Sequence, residues 1–273
     1  MKTVSTNQLL EVAIEAAKAG GTHAQTNAHR RHEIIQNYAH DVKLALDVEC
    51  QALIEKTIFS HFPQHTILGE EDETSVDGKK LGSAKQKSET TDGYEWIVDP
   101  IDGTVNFSHG YPAWCCSVAV RHAGKVMAAA VYAPDMNALY AATSDTVATC
   151  NGKPIQVSTR QTLAASLVMT GIDKQLIPGV EALEYFRRIS FACQKTRVMG
   201  SAALDLCLVA QGSADGYFEG SIYLWDIAAA GLIVQQAGGA GEIVAYRNEP
   251  HQLSYIASNG HIQEELKNLI GAL

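Results

Sequence analysis

The chain has 273 residues, of which 46% are hydrophobic, enough to bury one large core or two closely joined ones. Thirty acidic residues stand against twenty-one basic ones, giving a formal net charge of −9, and basic residues cluster only in short pairs such as Arg30-Arg31. This distribution disfavours binding along a nucleic-acid backbone, which needs many cationic contacts. An acidic protein that binds an anionic substrate needs a cation in its site, so the composition points toward bound metal ions.

The cysteines and the N-terminal segment indicate a protein of the cytoplasm. The six cysteines form no C-x-x-C pair, and we interpret them as buried thiols in a reducing compartment. The first twenty residues are amphipathic and carry Glu11, Glu15 and Lys18, instead of a basic end followed by an apolar run. This pattern predicts neither a signal peptide nor a membrane span.

The chain is predicted to begin with a helix that Ser5 or Thr6 caps and that Gly20-Gly21 ends. Residues 22–40 are polar and rich in histidine, and only Ile34-Ile35 suggests a strand. His29 and His32 lack a cysteine or carboxylate partner at ligand spacing, so we interpret them as solvated hairpin residues. A second helix is predicted for residues 47–60, before Pro63.

The middle of the chain is predicted to form a meandering antiparallel sheet. Turn signals separate apolar runs at residues 66–69, 95–99, 115–121, 125–133, 139–142 and 147–150. Residues 73–93 are polar and nearly free of large apolar side chains, which predicts a mobile surface loop.

The remainder of the chain has the pattern of a layered α/β structure. Helices are predicted at residues 180–194, 202–211, 226–237 and 262–270, and strands at 214–218 and 242–245. Because no linker separates the two patterns, we predict two halves, residues 1–159 and 160–273, that form one catalytic unit with a shared cleft.

Three acidic clusters each follow a predicted strand: Glu70–Asp72, Asp99–Thr104 and Trp225-Asp226. Strand ends are where rigid scaffolds place catalytic groups. Pro100 fixes one backbone angle, so Asp99 and Asp102 can converge with the Ile101 carbonyl on a hard cation. Gly103 permits a close approach to a ligand, and a helix that begins at Thr104 would direct free amides at phosphate oxygens.

Carboxylates brought together without a cation would repel one another, and magnesium removes this conflict. Each cluster alone has a simpler interpretation: Asp102-Gly103 is a common turn dipeptide, and Glu70–Asp72 fits a solvated loop. The clusters in this order and context together favour a metal site.

The segment WIVDPIDGTVNF (Trp96–Phe107), Gly69-Glu70-Glu71 and WDIAAAGLIVQQAGG (Trp225–Gly239) together resemble the inositol monophosphatase family. The resemblance spans nearly the whole chain. It implies an α+β fold, a layered αβαβα sandwich, and a magnesium-dependent, lithium-sensitive phosphatase that forms a homodimer. The N-terminal half would carry most metal ligands, and the C-terminal half would carry Asp226 and the substrate loop.

The resemblance also implies roles for individual residues. A first magnesium would bind Glu70, Asp99 and the Ile101 carbonyl, a second would bind Asp99, Asp102 and Asp226, and a weaker third would lie near Glu70. The catalytic residues would be Asp47, Glu70 and Thr104, in which Asp47 pairs with the Thr104 hydroxyl to orient the attacking water and Glu71 supports the metal ligands. Substrate would contact Asp102, Gly103, Thr104, Ser201, Ala202, Glu219 and Asp226.

Two features of the sequence leave alternatives open. The segment before Asp47 departs from the family pattern, with Leu44 where the family has Thr and Lys43 inside the motif. Ser201 has the simpler interpretation of a helix cap, and Glu219 that of a solvated side chain.

The expected activity is hydrolysis of a small polyol phosphate, with inositol 1-phosphate as the first candidate and no phosphoenzyme. The alternatives are histidinol phosphate, fructose 1,6-bisphosphate, 3'-phosphoadenosine 5'-phosphate, or a regulatory protein that acts through partners.

Overall fold

A computed structural model describes residues 4–37, 41–73, 75–76, 79–80, 93–172, 181–247 and 249–271. Its helices are α1 (Thr6–Thr26), α2 (Ala45–His61), α3 (Thr104–His109), α4 (Glu181–Ala192), α5 (Ala202–Ala210), α6 (Leu224–Gln236) and α7 (Gln263–Ile270). The first eight strands are β1 (Ile34–Asn37), β2 (Val42–Leu44), β3 (Thr66–Gly69), β4 (Ser75–Val76), β5 (Lys79–Lys80), β6 (Tyr94–Asp102), β7 (Cys115–His122) and β8 (Lys125–Ala133). The others are β9 (Ala138–Thr143), β10 (Thr149–Cys150), β11 (Lys153–Pro154), β12 (Leu167–Thr170), β13 (Lys195–Arg197), β14 (Gly216–Tyr223), β15 (Ala240–Tyr246) and β16 (Gln252–Ser258).

Two large sheets organise the fold. The seven-stranded sheet has the order β11-β10-β9-β8-β7-β6-β3, and the five-stranded sheet has the order β13-β12-β14-β16-β15. Two hairpins, β1-β2 and β4-β5, lie outside them. Within the described residues, no helix combines the length and the apolar character that a bilayer crossing requires.

The helices and sheets alternate in five layers. Helices α1 and α2 cover one face of the seven-stranded sheet, while α5 and α6 lie between the two sheets and contact both. Helices α4 and α7 cover the far face of the five-stranded sheet. Each layer boundary is filled by buried apolar side chains, and the largest such cluster surrounds α5 and α6. The predicted α+β sandwich with αβαβα layers is therefore confirmed.

Helix α1 begins where the sequence predicts but ends later. The Ser5 hydroxyl accepts a hydrogen bond from the Gln8 amide at 3.2 Å, as a helix cap does. The prediction that Gly20-Gly21 ends the helix is wrong, because the helix continues to Thr26. A Cβ at Gly20 would lie 2.8 Å from Ile54 Cδ1, and one at Gly21 would lie 2.8 Å from Tyr132 Cδ1. The two glycines thus permit close packing of α1 against α2 and β8.

The predicted sheet is antiparallel except at one edge. Strands β6 to β9 pair in antiparallel succession, as the turn signals predict. Strand β3 instead runs parallel to β6, with Leu68 opposite Ile97. Helix α2 precedes β3, and β3 and β6 run in the same direction along the sheet. A fully antiparallel sheet was therefore a wrong prediction for this one pair.

The remaining predictions meet mixed outcomes. Helices α2, α4, α5, α6 and α7 lie within two residues of their predicted bounds. Strands β2, β11, β12, β13 and β16 were not predicted. The predicted loop at residues 73–93 contains the short β4-β5 hairpin, and most of its other residues lie outside the described ones. The division at residue 160 into two halves with a shared cleft stays a prediction.

Candidate functional site

Three aspartates from distant parts of the chain converge at the edge of the middle layer. Asp99 and Asp102 belong to β6, and Asp226 lies in the first turn of α6. One carboxylate oxygen of each lies within 4.8 Å of the others. Asp99 is 2% exposed, and its Oδ1 receives no hydrogen bond among the described residues. This separation suits oxygens that share a cation.

The backbone after Asp102 has the shape that the sequence predicts. Gly103 has a φ of 92°, in the left-handed region, and α3 begins at the next residue. A Cβ at this position would approach the carbonyl oxygens of Ala113 at 3.0 Å and Gly200 at 3.1 Å. Glycine is therefore needed here for both its conformation and its small size.

Asp102 is held by donors from the C-terminal part of the chain. Its Oδ2 accepts hydrogen bonds from the Ser201 hydroxyl at 2.7 Å and the Ala203 amide at 2.8 Å, and its Oδ1 accepts one from the Ala202 amide at 3.2 Å. The Cys115 thiol lies 3.5 Å from Oδ2 and donates as well. In this structure Ser201 and Ala202, expected to contact substrate, thus orient a predicted metal ligand, and their contact with substrate stays a prediction.

The carboxylates of Asp99, Glu70 and Asp226 lie close enough to repel one another electrostatically. Burial, followed by the negative charges of Glu70, Asp102 and Asp226, raises the pKa of Asp99 well above its usual range. Burial raises the pKa of Glu70 in the same way, and Glu71 and Asp226 add to it. Burial and Asp102 raise the pKa of Asp226, although the Tyr223 amide donates to its Oδ2 at 2.7 Å. A divalent cation would remove this strain.

Asp47 lies in the first turn of α2, near the acidic segment after β3. Its Oδ2 accepts a hydrogen bond from the Leu44 amide at 2.7 Å, and its Oδ1 is buried and receives none among the described residues. Burial and then Glu71 raise the pKa of Asp47, while the Leu44 amide and Lys43 lower it. Lys43 is itself buried and forms an ion pair with Glu71. The departures from the family motif at residues 43 and 44 therefore still leave Asp47 near the site.

Thr104 begins α3, and its hydroxyl donates to the Ile101 carbonyl oxygen at 2.9 Å. Both groups belong to the predicted site. The structure therefore brings together the hydroxyl that is expected to orient the attacking water and the carbonyl that is expected to bind a metal. The hydrogen bond of Thr104 to Asp47 stays a prediction.

Glu219 lies on β14 and is half-buried beside the site. The Tyr217 hydroxyl donates to its Oε2 at 2.6 Å, and a Cβ added at Gly171 would overlap its carboxylate. Asp205, 2% exposed on α5, lies close enough that Asp102 and Glu219 contribute to raising its pKa, after burial. Glu219 is thus held by a hydroxyl donor and is no simple solvated side chain.

Several of these residues were not predicted from the sequence. Cys115, Asp205 and Tyr217 acquire their roles only through contacts between distant segments. The same holds for Asn106, whose side-chain amide donates to the carbonyl oxygens of Ala113 and Met199, both at 2.7 Å. These bonds tie α3 to the segment before α5. The only sequence signal for Asn106 was its position in the motif Trp96–Phe107. His29 and His32, which were interpreted as solvated residues and not as metal ligands, are exposed.

The donor set fits a hard divalent cation. Carboxylate oxygens are the ligands that Mg²⁺ prefers, and Asp99 contributes one oxygen to the cluster and has a buried Oδ1 that receives no hydrogen bond among the described residues. Such a cluster on an αβαβα sandwich, beside the start of a helix, defines the class of phosphomonoesterases that act on small phosphate substrates.

Comparisons with known proteins give the family. The model of the inositol monophosphatase family matches residues 5–272, and the chain belongs to this family. Inositol-1-monophosphatase of Synechocystis sp. is 34% identical over 268 residues, covering 96% of this chain and 88% of the relative. Nus factor SuhB of Pasteurella multocida is 34% identical over 261 residues, covering 94% and 90%. The structure of inositol monophosphatase from Anabaena (Nostoc) sp. matches with a TM-score of 0.81 at 29% identity, covering 98% of this chain and 96% of that chain.

Proposed function

We propose that this protein is a Mg²⁺-dependent phosphatase that hydrolyses a small polyol phosphate, with inositol 1-phosphate as the first substrate to test. The observation that carries the proposal is the convergence of the buried Asp99 and Asp102 with the half-buried Asp226. Burial and mutual repulsion raise the pKa of Asp99 and Asp226, so the ionised cluster calls for a compensating cation.

The residues present fit the proposed ions. Glu70, Asp99 and the Ile101 carbonyl would hold one Mg²⁺, and Asp99, Asp102 and Asp226 would hold a second. When bound, the ions supply charge neutralisation for the phosphate and activation of a water molecule.

The chain's own groups would orient the reaction around these ions. Asp47 and Thr104 would position the attacking water, and a carboxylate of Asp47 or Glu70 would accept its proton. The backbone amides at the start of α3 would donate to phosphate oxygens, since Gly103 leaves that approach open. Water would then attack phosphorus directly, the bond to the alcohol oxygen would break, and the departing alkoxide would take a proton from a solvent water to leave as the alcohol, with no phosphoenzyme.

Glu219 would select the alcohol part of the substrate. Its carboxylate is held by Tyr217 on β14 and lies near Asp226, whose pKa it raises. A carboxylate there can accept hydrogen bonds from the hydroxyls of a polyol. This supports a polyol phosphate over a substrate without hydroxyl groups.

Phosphate release tests the proposal. The purified full chain is assayed with inositol 1-phosphate, histidinol phosphate, fructose 1,6-bisphosphate and 3'-phosphoadenosine 5'-phosphate, each with Mg²⁺ and with EDTA. We expect turnover only with Mg²⁺, and the highest kcat/KM for inositol 1-phosphate. Asp226→Asn should abolish it, while the matched control Asp145→Asn, at an exposed turn, should not. Turnover that persists after complete removal of divalent ions would refute the metal assignment.

Lithium inhibition belongs to the same proposal. A small monovalent ion at the second position, between Asp102 and Asp226, would retain product phosphate and give uncompetitive inhibition. Initial rates at several substrate concentrations with and without LiCl measure this. Unchanged rates at high lithium would show that this position differs from the one implied by the family resemblance.

We also propose that the protein is a homodimer and lies in the cytoplasm. All six cysteines are free thiols, which supports a reducing compartment. The dimer follows from the family resemblance, and light scattering on the purified chain measures its mass.

A role through protein partners is the second candidate, because relatives of comparable identity carry the name Nus factor SuhB. The intact carboxylate cluster favours catalysis. Genetic complementation of a strain that lacks this protein distinguishes catalysis from a role through partners. An Asp99→Asn chain that restores the phenotype without phosphatase turnover would support the partner-binding function.

A further inference from the structure

Strands β12 and β14 lie side by side and parallel in the five-stranded sheet, and Glu219 lies near their carboxyl ends. Thr170 pairs with Phe218, and the Thr170 hydroxyl donates to the Phe218 carbonyl oxygen at 2.6 Å. Gly171 follows Thr170 and Glu219 follows Phe218, so both lie one residue beyond this pair. Since neighbouring residues of paired strands share a face of the sheet, a side chain at position 171 would stand beside that of Glu219.

The Glu219 carboxylate fills the space that a side chain at position 171 would occupy. A Cβ added at Gly171 would overlap both oxygens and the Cδ of Glu219, and these are the three atoms nearest to it. The φ of Gly171 lies outside the left-handed region, so the backbone there would accept any L-residue without strain. The position of the carboxylate is therefore what requires glycine at this place.

A buried hydroxyl holds the same carboxylate. Tyr217, on the same face of β14 two residues earlier, is 0% exposed and donates to Glu219 Oε2 at 2.6 Å. Thr170 and Phe218 are buried as well, whereas Gly171 and Glu219 are half-buried. The carboxylate thus emerges at the carboxyl ends of two parallel strands, where sheets covered by helices bind their ligands.

We propose that Gly171 determines the substrate specificity of this protein by placing Glu219. Its missing side chain lets the carboxylate lie over the end of β12, where it accepts hydrogen bonds from the hydroxyls of a polyol. The inference rests on the proposed phosphatase function and adds to it the residue that positions the contact to the alcohol. A side chain at position 171 would turn the carboxylate away, while the aspartate cluster on β6 and α6 would remain as it is.

Steady-state kinetics of Gly171→Ala in the full chain test this inference, with saturating MgCl₂ and two substrates, inositol 1-phosphate and 4-nitrophenyl phosphate. The matched control is Gly271→Ala, since Gly271 is exposed, has a φ of −70° and leaves 3.3 Å between an added Cβ and the nearest atom, the Lys267 carbonyl oxygen. We expect Gly171→Ala to raise KM for inositol 1-phosphate about tenfold with kcat little changed, because a hydrogen bond to the bound alcohol is lost. Hydrolysis of 4-nitrophenyl phosphate should stay unchanged, and the control should match wild type on both substrates.

A double-mutant cycle separates this role from a general disturbance of the fold. Glu219→Ala removes the carboxylate, so adding Gly171→Ala to it should cause no further loss of kcat/KM for inositol 1-phosphate. A further loss in the double variant, or equal losses on both substrates in Gly171→Ala, would overturn the inference.

Folding of the same variants gives a second measurement. If Gly171→Ala alone does not fold, the double variant Gly171→Ala/Glu219→Ala, in which the overlap is gone, should fold with the Tm of Glu219→Ala. A double variant that also fails to fold would make Gly171 a structural residue and overturn the inference. A wild-type protein that hydrolyses neither substrate would refute the proposed function and this inference with it, whereas an active wild type and an unchanged KM in Gly171→Ala would refute only the role of Gly171.

Discussion

Asp99→Asn is predicted to abolish phosphatase activity and at the same time to stabilise the metal-free protein. Asp99 is buried within 4.8 Å of two other carboxylates, and its Oδ1 receives no hydrogen bond among the described residues. Its charge therefore contributes repulsion to the metal-free fold, and its side-chain hydrogen bond with Glu70 raises its pKa further. The same charge is the expected bridge between two ions, which an amide cannot replace.

Two energies bound the stabilisation of the metal-free protein: the repulsion between carboxylates and the cost of protonating one of them. At 4.8 Å and an effective dielectric of about 20, each pair of ionised carboxylates repels by roughly 3.5 kcal/mol. The cluster can avoid this by keeping one carboxyl protonated, which for an ordinary value of 3.8 costs about 4.4 kcal/mol at pH 7. Removing one charge should therefore stabilise the metal-free protein by about 2–4 kcal/mol, or roughly 5–10 °C in Tm.

Differential scanning fluorimetry in EDTA and in saturating Mg²⁺ measures this, beside phosphate release. The matched control is Asp215→Asn, since Asp215 is 0% exposed but accepts hydrogen bonds from Ser158, Arg160 and the Leu167 amide. The control should lose about 2–4 kcal/mol in both conditions, because its donors lose a charged acceptor. An Asp99→Asn protein that is less stable than wild type in EDTA, or equally stabilised by Mg²⁺, would refute the reasoning.

Three further predictions follow from neighbouring contacts. Thr104→Ala, which removes the donor to Ile101, should lower kcat about a hundredfold with little change in KM or Tm; steady-state kinetics check this, and a change in KM alone would make Thr104 a binding residue. Tyr217→Phe should raise KM for a polyol phosphate about tenfold by freeing Glu219, while hydrolysis of 4-nitrophenyl phosphate stays unchanged; equal losses on both substrates would contradict this role. In EDTA, the Tm of wild type minus the Tm of Asp99→Asn should fall as the pH rises from about 5 to about 8. The site's carboxyls have a raised pKa in the folded state, so the stability that they contribute at low pH is lost as they ionise. Saturating Mg²⁺ should flatten this difference, and a difference that grows in favour of wild type with pH would reverse the assigned sign.

Local patterns in the sequence predicted elements well where one face was apolar and the ends carried turn signals. Strand β16 escaped because both of its faces are buried: Leu253, Tyr255 and Ala257 pack in the middle layer, while Ile256 packs toward α7. Ile256 interrupts the alternation of apolar and polar residues, because it lies on the same face as Gln252, Ser254 and Ser258. The parallel direction of β3 was likewise inaccessible, since the local pattern of residues 66–69 does not specify the direction of the strand relative to β6.

The site was predicted as far as its ligands lie in short motifs. Asp99, Asp102 and Asp226 were identified by their position after strands and by the family resemblance, and the structure brings them together. The hydrogen bonds that hold Asp102 were not predicted, because Cys115 and Ser201 meet it across large separations along the chain and Ser201 was expected to contact substrate. A thiol in an apolar strand has no sequence signal that distinguishes a hydrogen-bond donor from a packing residue.

The arrangement of helices around the site explains how the fold tolerates so many buried carboxylates. Asp47 lies in the first turn of α2 and Asp226 in that of α6, and the first amides of α5 donate to Asp102. Helix α3 begins beside them. The positive ends of these helices favour negative charge, each by about 0.3–1 kcal/mol and by at most about 2 kcal/mol in buried geometries. Their sum offsets roughly one of the carboxylate pairs estimated above, at about 3.5 kcal/mol each, and leaves the others uncompensated. The same helix starts that make the acidic cluster possible also favour a phosphate dianion once cations cover the carboxylates. The uncompensated remainder is the part of the repulsion that a divalent ion has to remove, which is why removing one carboxylate should stabilise the fold only when no ion is bound.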